Sequence, residues 1–355
     1  MSAAATPGPA GCPSCGQPAW PADNFCEACR AELAPARVSG ERAAADGRRC
    51  SSCPEATITP EGYCESCGRK VPSGADRSEL DLGLLAGITD RGRRHRRNED
   101  AMAIGTARTE AGPAAVAVVC DGVSSSSRAD EASRAAAGAA VRILLAAVRS
   151  GGDPADASRR AFGAAQQALF ALASSPDSAS SEPAATYVSA VVTAAEVTVC
   201  WLGDSRAYWL DPSGAGSRQL TSDDSIAQEL VAEGLLTASE ALASPAGHVV
   251  TGWVGADLRE AEPHLAWFTP AGPGIVLLCS DGLWNYAQAA ADLAGLALPG
   301  ALTDPLGTAA ALIAFANEAG GADNITAVLA RFPPGPPVPP ADPQPWTKET
   351  ADEPA

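Results

Sequence analysis

Four aspartates stand at the ends of apolar runs that are typical of buried strands. The runs cover 114–119, 197–202, 274–280 and 325–332, and the acids beside them are Asp121, Asp204, Asp281 and Asp323. Each acid alone is more typical of a turn, because Asp favours turns and strand ends. Together with Glu99 and Asp100, which precede a candidate strand at 101–104, they predict an oxygen-rich site for Mg²⁺ or Mn²⁺.

The surroundings of Asp121 and Asp281 are alike. In both places an apolar run is followed by the acid and then by a glycine, Gly122 or Gly282. A buried aspartate is costly unless a positive charge meets it, and a glycine lets its own carbonyl approach the same ligand. The repeated arrangement indicates two strands that deliver ligands to one centre.

The segment 89–100 is the most charged in the chain, with five arginines, His95 and three acids. A basic run is typical of a solvated face or a nucleic-acid patch. A basic run that ends in Asn98-Glu99-Asp100 also suits an anionic substrate held beside metal-linked carboxylates.

Eight cysteines form four Cys-x-x-Cys pairs before residue 68. The spacing of the first two pairs, with ten residues between them, recurs 38 residues later. Two such pairs complete a tetrahedral four-cysteine site without an open position, so we predict two structural Zn²⁺ ions in a double zinc ribbon. Whether the quartets are sequential or interleaved is left open by the spacing. The predicted zinc ligands are Cys12, Cys15, Cys26, Cys29, Cys50, Cys53, Cys64 and Cys67.

Composition limits the function. The chain has 355 residues, a net charge of −17 and an isoelectric point near 4.6. This charge argues against a general binder of nucleic acids or anionic membranes. The sequence shows neither a membrane span nor a signal peptide, and paired cysteines indicate a reducing compartment. We therefore expect a cytoplasmic protein, and we read Cys120, Cys200 and Cys279 as buried apolar residues.

Several motifs in series resemble the metal-dependent protein phosphatases of the 2C type. They are Thr89-Asp90-x-Gly92, Asn98-Glu99-Asp100-Ala101, Val119-Cys120-Asp121-Gly122, 203–208, 280–283 and 323–326. The resemblance covers residues 80–332. It implies an α+β fold in which two antiparallel sheets form a β-sandwich flanked by helices, in α-β-β-α layers. It also implies hydrolysis of phosphoserine and phosphothreonine in proteins.

The resemblance also implies roles for the acids. Asp121 would bridge two metal ions, Gly122 would offer its carbonyl to one, and Asp281 and Asp323 would bind the other. Glu99 and Asp100 would hold metal-bound waters. Asp204, with Asp281, matches a third and weaker site. A water between the two ions would be the nucleophile, so no covalent phosphoenzyme is needed.

Two departures from the family pattern concern the neighbours of this centre. In many relatives an arginine stands five residues before the last acid of the Asn-Glu-Asp motif, and here that position is His95. His95 would either contact phosphate or act as general acid, and Arg94 or Arg96 is the alternative source of charge. Beyond Gly122, four serines at 124–127 replace the usual glycines, and Val123 stands at a position that is a histidine acid in some eukaryotic relatives.

The expected domains are a disordered start at 1–11, the double zinc ribbon at 12–69, a linker at 70–79, the phosphatase domain at 80–332 and a disordered acidic tail at 333–355. We expect a monomer that acts on phosphoproteins in a Ser/Thr kinase pathway, with ribbons for targeting or regulation. One alternative is a degenerate phosphatase that scaffolds phosphoproteins. Another makes the ribbons nucleic-acid readers, although residues 12–67 have few aromatics for stacking.

Overall fold

The computed structural model describes residues 76–174, 182–213, 216–237, 249–256 and 261–333 as its main segments. It also describes short pieces at 10–11, 17–19, 37–38, 57, 59, 64–68, 240–241 and 244. Six of the eight predicted zinc ligands lie outside the described residues, as do the predicted tail beyond residue 333 and most of 1–11.

The described residues contain sixteen strands. In chain order these are β1 Ala10–Gly11, β2 Pro18–Ala19, β3 Arg37–Val38, β4 Arg77–Asp81, β5 Leu85–Asp90, β6 Asp100–Thr109, β7 Gly112–Asp121, β8 Ala184–Ala185, β9 Tyr187–Val192, β10 Val197–Leu202, β11 Arg206–Leu210, β12 Arg218–Gln219, β13 Val254–Gly255, β14 His264–Phe268, β15 Gly274–Cys279 and β16 Ile325–Phe332.

We number six described helices α1 to α6. They are α1 Ala129–Arg149, α2 Pro154–Ala173, α3 Ile226–Ala232, α4 Asp281–Trp284, α5 Ala290–Ala301 and α6 Pro305–Ala319. Asp153 caps α2 by accepting from the backbone N–H of Asp156, with Pro154 in the first turn, and Asp304 caps α6 in the same manner. None of the described helices is long and apolar enough to cross a bilayer.

Two antiparallel six-stranded sheets carry the domain. The first sheet has the order β14-β10-β9-β7-β6-β3, and the second has the order β12-β11-β15-β16-β5-β4. One apolar core lies between the sheets, a second lies between the first sheet and helices α1 and α2, and a third lies between the second sheet and helices α5 and α6. The predicted α-β-β-α sandwich is confirmed.

The strands β7 and β15 are buried on both faces, which explains their unbroken apolar sequences. On β7, Ala117 and Val119 face the core between the sheets, while Val118 and Cys120 face the helices. On β15, Leu278 faces the core between the sheets and Cys279 faces the helices. Cys120, Cys200 and Cys279 are all fully buried in apolar cores, as predicted.

The element bounds follow the sequence closely in places and depart from it in others. The apolar runs 197–202 and 325–332, which the sequence predicts as strands, coincide with β10 and β16. The strand β4, which pairs with β5, begins at Arg77, three residues before the start of the phosphatase domain that the sequence predicts at 80. Neither β14 nor α5 was predicted, and residues 281–284 form the short helix α4 directly after β15.

Candidate active site

Asp100 and Asp121 stand directly opposite each other on neighbouring strands. They are register partners at the shared end of β6 and β7. Side chains alternate along a strand, so Asp121 lies on the same face as Val119, and Asp100 on the same face as Met102, which is the face toward the second sheet. Two like charges opposite each other destabilise a sheet unless something offsets them.

The second sheet brings Asp281 and Asp323 to the same edge. Asp281 begins α4 immediately after β15, and Asp323 stands before β16, the strand paired with β15. A side chain at Gly282 would overlap the backbone of Asn324. Only a glycine therefore allows α4 to approach the start of β16 this closely.

Asp204 enters from the turn after β10. Gly203 precedes it with a φ of 107°, a conformation that favours glycine. The indole Nε1 of Trp284, on α4, donates to the backbone carbonyl of Asp204 at 2.9 Å. The turn that carries Asp204 is thus fixed to the helix that carries Asp281.

A buried polar chain holds Asp100. Its Oδ2 accepts from the hydroxyls of Ser280 and Thr326, each at 2.7 Å. Thr326 Oγ1 also lies 2.7 Å from Thr89 Oγ1, which accepts from Asn98 Nδ2 at 2.9 Å. One oxygen of Asp100 is therefore oriented by groups from three other strands or loops.

Hydrogen bonds connect Glu99 to the loop that contains the serine run. Ser124 Oγ donates to Glu99 Oε2 at 2.7 Å, and the backbone N–H of Gly122 donates to the carbonyl of Glu99 at 3.1 Å. A side chain at Gly122 would overlap the backbone of Ala129. The N–H of Val123 donates to the carbonyl of Ala184 at 3.0 Å. The loop that replaces the usual glycines is thus tied to Glu99 and to β8.

His95 lies at the acidic centre. Its Nε2 is 3.1 Å from Asp323 Oδ1. Behind it, Asn324 fixes the basic loop, because its Nδ2 donates to the carbonyls of Arg91 and Arg97 at 2.8 and 3.0 Å. The Oδ1 of the same amide accepts from the N–H of Glu99 at 2.8 Å. The loop 91–99 is therefore held at both ends by the residue that follows Asp323.

The electrostatics show that the five aspartates interact. Burial, followed by repulsion from the other four aspartates, raises the pKa of Asp121 well above its ordinary value. Burial and then Asp204, Asp323 and Asp100 do the same for the pKa of Asp281. Burial raises the pKa of Asp100 to about 6 and that of Asp204 to about 7. Such a cluster of acids calls for positive charge.

Two orphaned oxygens show where that charge is needed. Asp100 Oδ1 and Asp281 Oδ1 are buried, and neither has a hydrogen-bond partner among the described residues. A buried carboxylate oxygen without a donor is costly unless a cation meets it. Carboxylate oxygens are also the donors that Mg²⁺ and Mn²⁺ prefer. The residues present therefore fit hard divalent cations.

The carboxylates of the described cluster lie further apart than three side chains that bind one ion directly. In the described part of the chain, no three His, Cys, Asp or Glu side chains stand close enough together to hold one ion between them. The predicted arrangement does not need such a cage, because Glu99 and Asp100 were expected to act through water and Gly122 through its carbonyl. Mutual repulsion also favours a spread of the carboxylates.

Sequence reasoning singled out the acids but missed the residues that position them. Ser280, Thr326 and Asn324 orient Asp100 and the basic loop, and Trp284 fixes the turn of Asp204. Three of these lie inside the motifs quoted above. Their polar side chains beside strand ends were the only available signal.

The fold is a layered sandwich, in which two antiparallel sheets are stacked and a pair of helices covers each outer face. A cluster of acids at one edge of the sheets forms a candidate metal-dependent site. The chain belongs to the protein phosphatase 2C family, whose model, described as "Protein phosphatase 2C", matches residues 90–299.

Relatives and solved structures agree with this family. The protein phosphatase PhpP of Streptococcus pneumoniae is 37% identical over 130 residues, which are 36% of this chain and 50% of PhpP. The serine/threonine phosphatase structure from S. agalactiae has a TM-score of 0.56 and 26% identity, covering 71% of this chain and 97% of that one. The PstP catalytic domain in complex with two manganese ions has a TM-score of 0.52 and 26% identity, covering 69% and 96%. This chain spans about half the length of the curated relatives it matches.

Proposed function

We propose that this protein hydrolyses phosphoserine and phosphothreonine in proteins, using divalent cations held by the acidic cluster. The observation that carries the proposal is the convergence of five aspartates whose charges repel one another, two of them with orphaned buried oxygens. The similarity to serine/threonine phosphatases, one of them solved with two manganese ions, supports the same conclusion.

The residues divide into binding and positioning groups. Asp121 would bridge two Mn²⁺ or Mg²⁺ ions, with the Gly122 carbonyl on one side and Asp281 and Asp323 on the other. Glu99 and Asp100 would act through water, and Asp204 would serve a third and weaker site. Bound cations would neutralise charge on the phosphoryl oxygens and lower the pKa of water.

The chain's own contacts prepare this chemistry. The hydroxyls of Ser280 and Thr326 leave only one oxygen of Asp100 available. Ser124 orients the Glu99 carboxylate by donating a hydrogen bond to its Oε2. His95, whose Nε2 contacts Asp323, is our candidate for holding the proton that the leaving oxygen takes. Preorganised positions of this kind avoid reorganisation during the reaction.

The test is hydrolysis by the full-length protein of p-nitrophenyl phosphate and of a phosphothreonine peptide. We expect turnover with millimolar Mn²⁺ and loss of essentially all of it with excess EDTA, because the acids alone cannot offset phosphoryl charge. Restoration by Mn²⁺ after removal of EDTA is the control. Binding of the peptide without turnover in Mn²⁺ and Mg²⁺ would favour the scaffold alternative instead.

We also propose that the N-terminal Cys-x-x-Cys pairs hold two structural zinc ions. Strands β1 and β2 are antiparallel and flank the Cys12–Cys15 pair, as a ribbon hairpin requires. At the other end, the N–H of Gly68 donates to the carbonyl of Cys64 at 2.8 Å, closing a turn around the Cys64–Cys67 pair. Gly68 has a φ of 68°, which favours glycine. The pairing of β1 with β2 and the turn at 64–68 support the zinc hypothesis, although most of the predicted ligands lie outside the described residues.

Zinc content gives a direct check of this proposal. The full-length protein is expected to retain two equivalents of zinc after gel filtration, and Cys64→Ser with Cys67→Ser is expected to retain at most one. Elemental analysis measures the ratio. Ser66→Ala, in the same turn, is the matched control and should retain two. Unchanged zinc in the double cysteine variant would contradict a site that uses this pair.

The proposal also covers the substrates of the enzyme, its pathway and the role of the ribbons. Phosphorylated proteins would be the substrates, and a Ser/Thr kinase pathway would supply them. We expect a cytoplasmic monomer in which the ribbons target or regulate the phosphatase. The strand β3 pairs with β6 at the edge of the first sheet, which gives the N-terminal region a point of backbone contact with the phosphatase domain.

A further inference from the structure

A groove beside the acidic centre is lined mostly by basic residues. Its walls include Arg94, Arg96, Arg97 and Arg128, together with Glu99 and Ser124. Glu99, a candidate metal ligand whose carboxylate accepts from Ser124, is part of the groove wall. The groove therefore adjoins the acidic centre. Four arginines in one groove contrast with a chain whose net charge is −17.

The arginines of the groove differ in how far their charge is already offset. Arg97 pairs with Asp130 at 3.4 Å, and Arg128 pairs with Glu131, three residues further along the chain. Arg94 and Arg96 are exposed, and neither has an ion pair with another residue of the described part. Two guanidinium groups are thus left available for an anionic group from outside.

The loop that carries these two arginines is held in place. Arg91 donates from its guanidinium to the carbonyl of His95, and the N–H of Arg93 donates to the carbonyl of Gly321 at 2.9 Å. The Asn324 amide fixes both ends of the loop, as described above. A fixed backbone reduces the entropy lost on binding, so the loop is suited to recognition.

We propose that this groove binds acidic side chains that flank the phosphorylated residue, so that the enzyme prefers acidic phosphopeptides. The inference rests on the proposed phosphatase function and adds its substrate class. An arginine presents a planar fork that matches a carboxylate. The rest of a surface with this net charge repels acidic peptides. The arginines of the groove supply the local positive charge that attracts such a substrate to the site.

The experiment compares three nine-residue phosphothreonine peptides that differ only in their flanks, which are glutamate, glutamine or lysine on both sides. Phosphate release by the full-length protein with Mn²⁺ gives kcat/KM for each. We expect the glutamate peptide to exceed the glutamine peptide by roughly two- to thirty-fold at low ionic strength, from two exposed ion pairs. The ratio should shrink toward one in high salt.

Variants assign the preference to the groove. In Arg94→Gln with Arg96→Gln, the glutamate-to-glutamine ratio is expected to approach one, while Arg94→Lys with Arg96→Lys keeps most of it. Arg160→Gln is the matched control, because Arg160 is exposed on α2. It lies twelve residues before Leu172, whose carbonyl meets Arg128 at the groove end of that helix. That separation corresponds to about 18 Å along a helix, so the control should keep the wild-type ratio.

The possible failures are distinct. No Mn²⁺-dependent release from any peptide would overturn the proposed function itself. Release with equal kcat/KM for all three peptides would overturn only the acidic preference. A double glutamine variant that loses activity equally on all peptides would show that the arginines contact phosphate rather than the flanks, which also contradicts the proposal. Thermal melting of each variant confirms that these exposed substitutions leave the fold intact.

Discussion

The Asp281→Asn variant is expected to lose metal-dependent phosphatase activity by at least about a thousandfold, because a lost ligand removes several kcal/mol of charge stabilisation. Its metal-free form is nevertheless expected to melt above the metal-free wild type. Asp281 is repelled by Asp204, Asp323 and Asp100, and its Oδ1 is buried without a donor. An asparagine removes that charge and supplies an N–H for a neighbouring carboxylate.

The gain in stability should be moderate. Relief of like-charge repulsion of about 1–3 kcal/mol corresponds to a rise in Tm of roughly 2–10 °C for a domain of this size. Differential scanning fluorimetry in EDTA measures it. Saturating Mn²⁺ should then raise the Tm of the wild type more than that of the variant. Asp292→Asn, an exposed acid on α5, is the control and should change neither quantity much. A less stable or fully active Asp281→Asn would contradict a metal centre here.

The candidate ligands could be found in the sequence because each of them stands next to the end or the start of a strand. Runs buried on both faces, such as β7 and β15, read as strands without help from alternation. An acid placed directly after such a run is conspicuous, so Asp121 and Asp281 stood out. The order of the motifs then gave the family and, through it, the layered sandwich that the structure confirms.

The positioning residues could not be found in this way. Ser280 and Thr326 meet Asp100 across 180 and 226 residues of sequence. Their partners depend on the pairing of strands from different parts of the chain, which local patterns do not specify. The contact between His95 and Asp323 has the same origin, because Asn324 folds the basic loop against the start of β16.

Two elements were missed because their sequences contradict their structures. The helix α5 contains Gly295 and, near its end, Pro299 followed by Gly300, a composition typical of a loop. Its buried residues, such as Leu293 and Ala297, pack on the second sheet and outweigh this propensity. The strand β14 is a half-exposed edge strand of five residues. Its apolar run, Leu265 to Phe268, is too short to distinguish a strand from a piece of helix.

The Asp223→Ala variant is expected to lose about 3–5 kcal/mol of stability, because it leaves a buried guanidinium without its partner. Arg206 meets Asp223 through Nε and Nη2, at 2.9 and 2.7 Å, and both side chains are only 8% exposed. The same guanidinium stacks 3.6 Å from the ring centroid of Trp284, which holds the turn of Asp204. We therefore expect the Tm to fall by roughly 6–20 °C and activity to fall with it. Urea and thermal unfolding measure the loss.

Two comparisons separate the buried charge from the loss of contacts. Replacing both partners, as Arg206→Met with Asp223→Leu, should recover much of the lost stability, since well-packed apolar residues can replace a buried ion pair. It should not recover activity fully, because the stacking that orients Trp284 and Asp204 is altered. Arg159→Ala, which breaks an exposed pair with Asp156 on α2, should cost at most about 1 kcal/mol. An Asp223→Ala variant no less stable than Arg159→Ala would mean that Arg206 finds another partner, and that the turn of Asp204 does not depend on this pair.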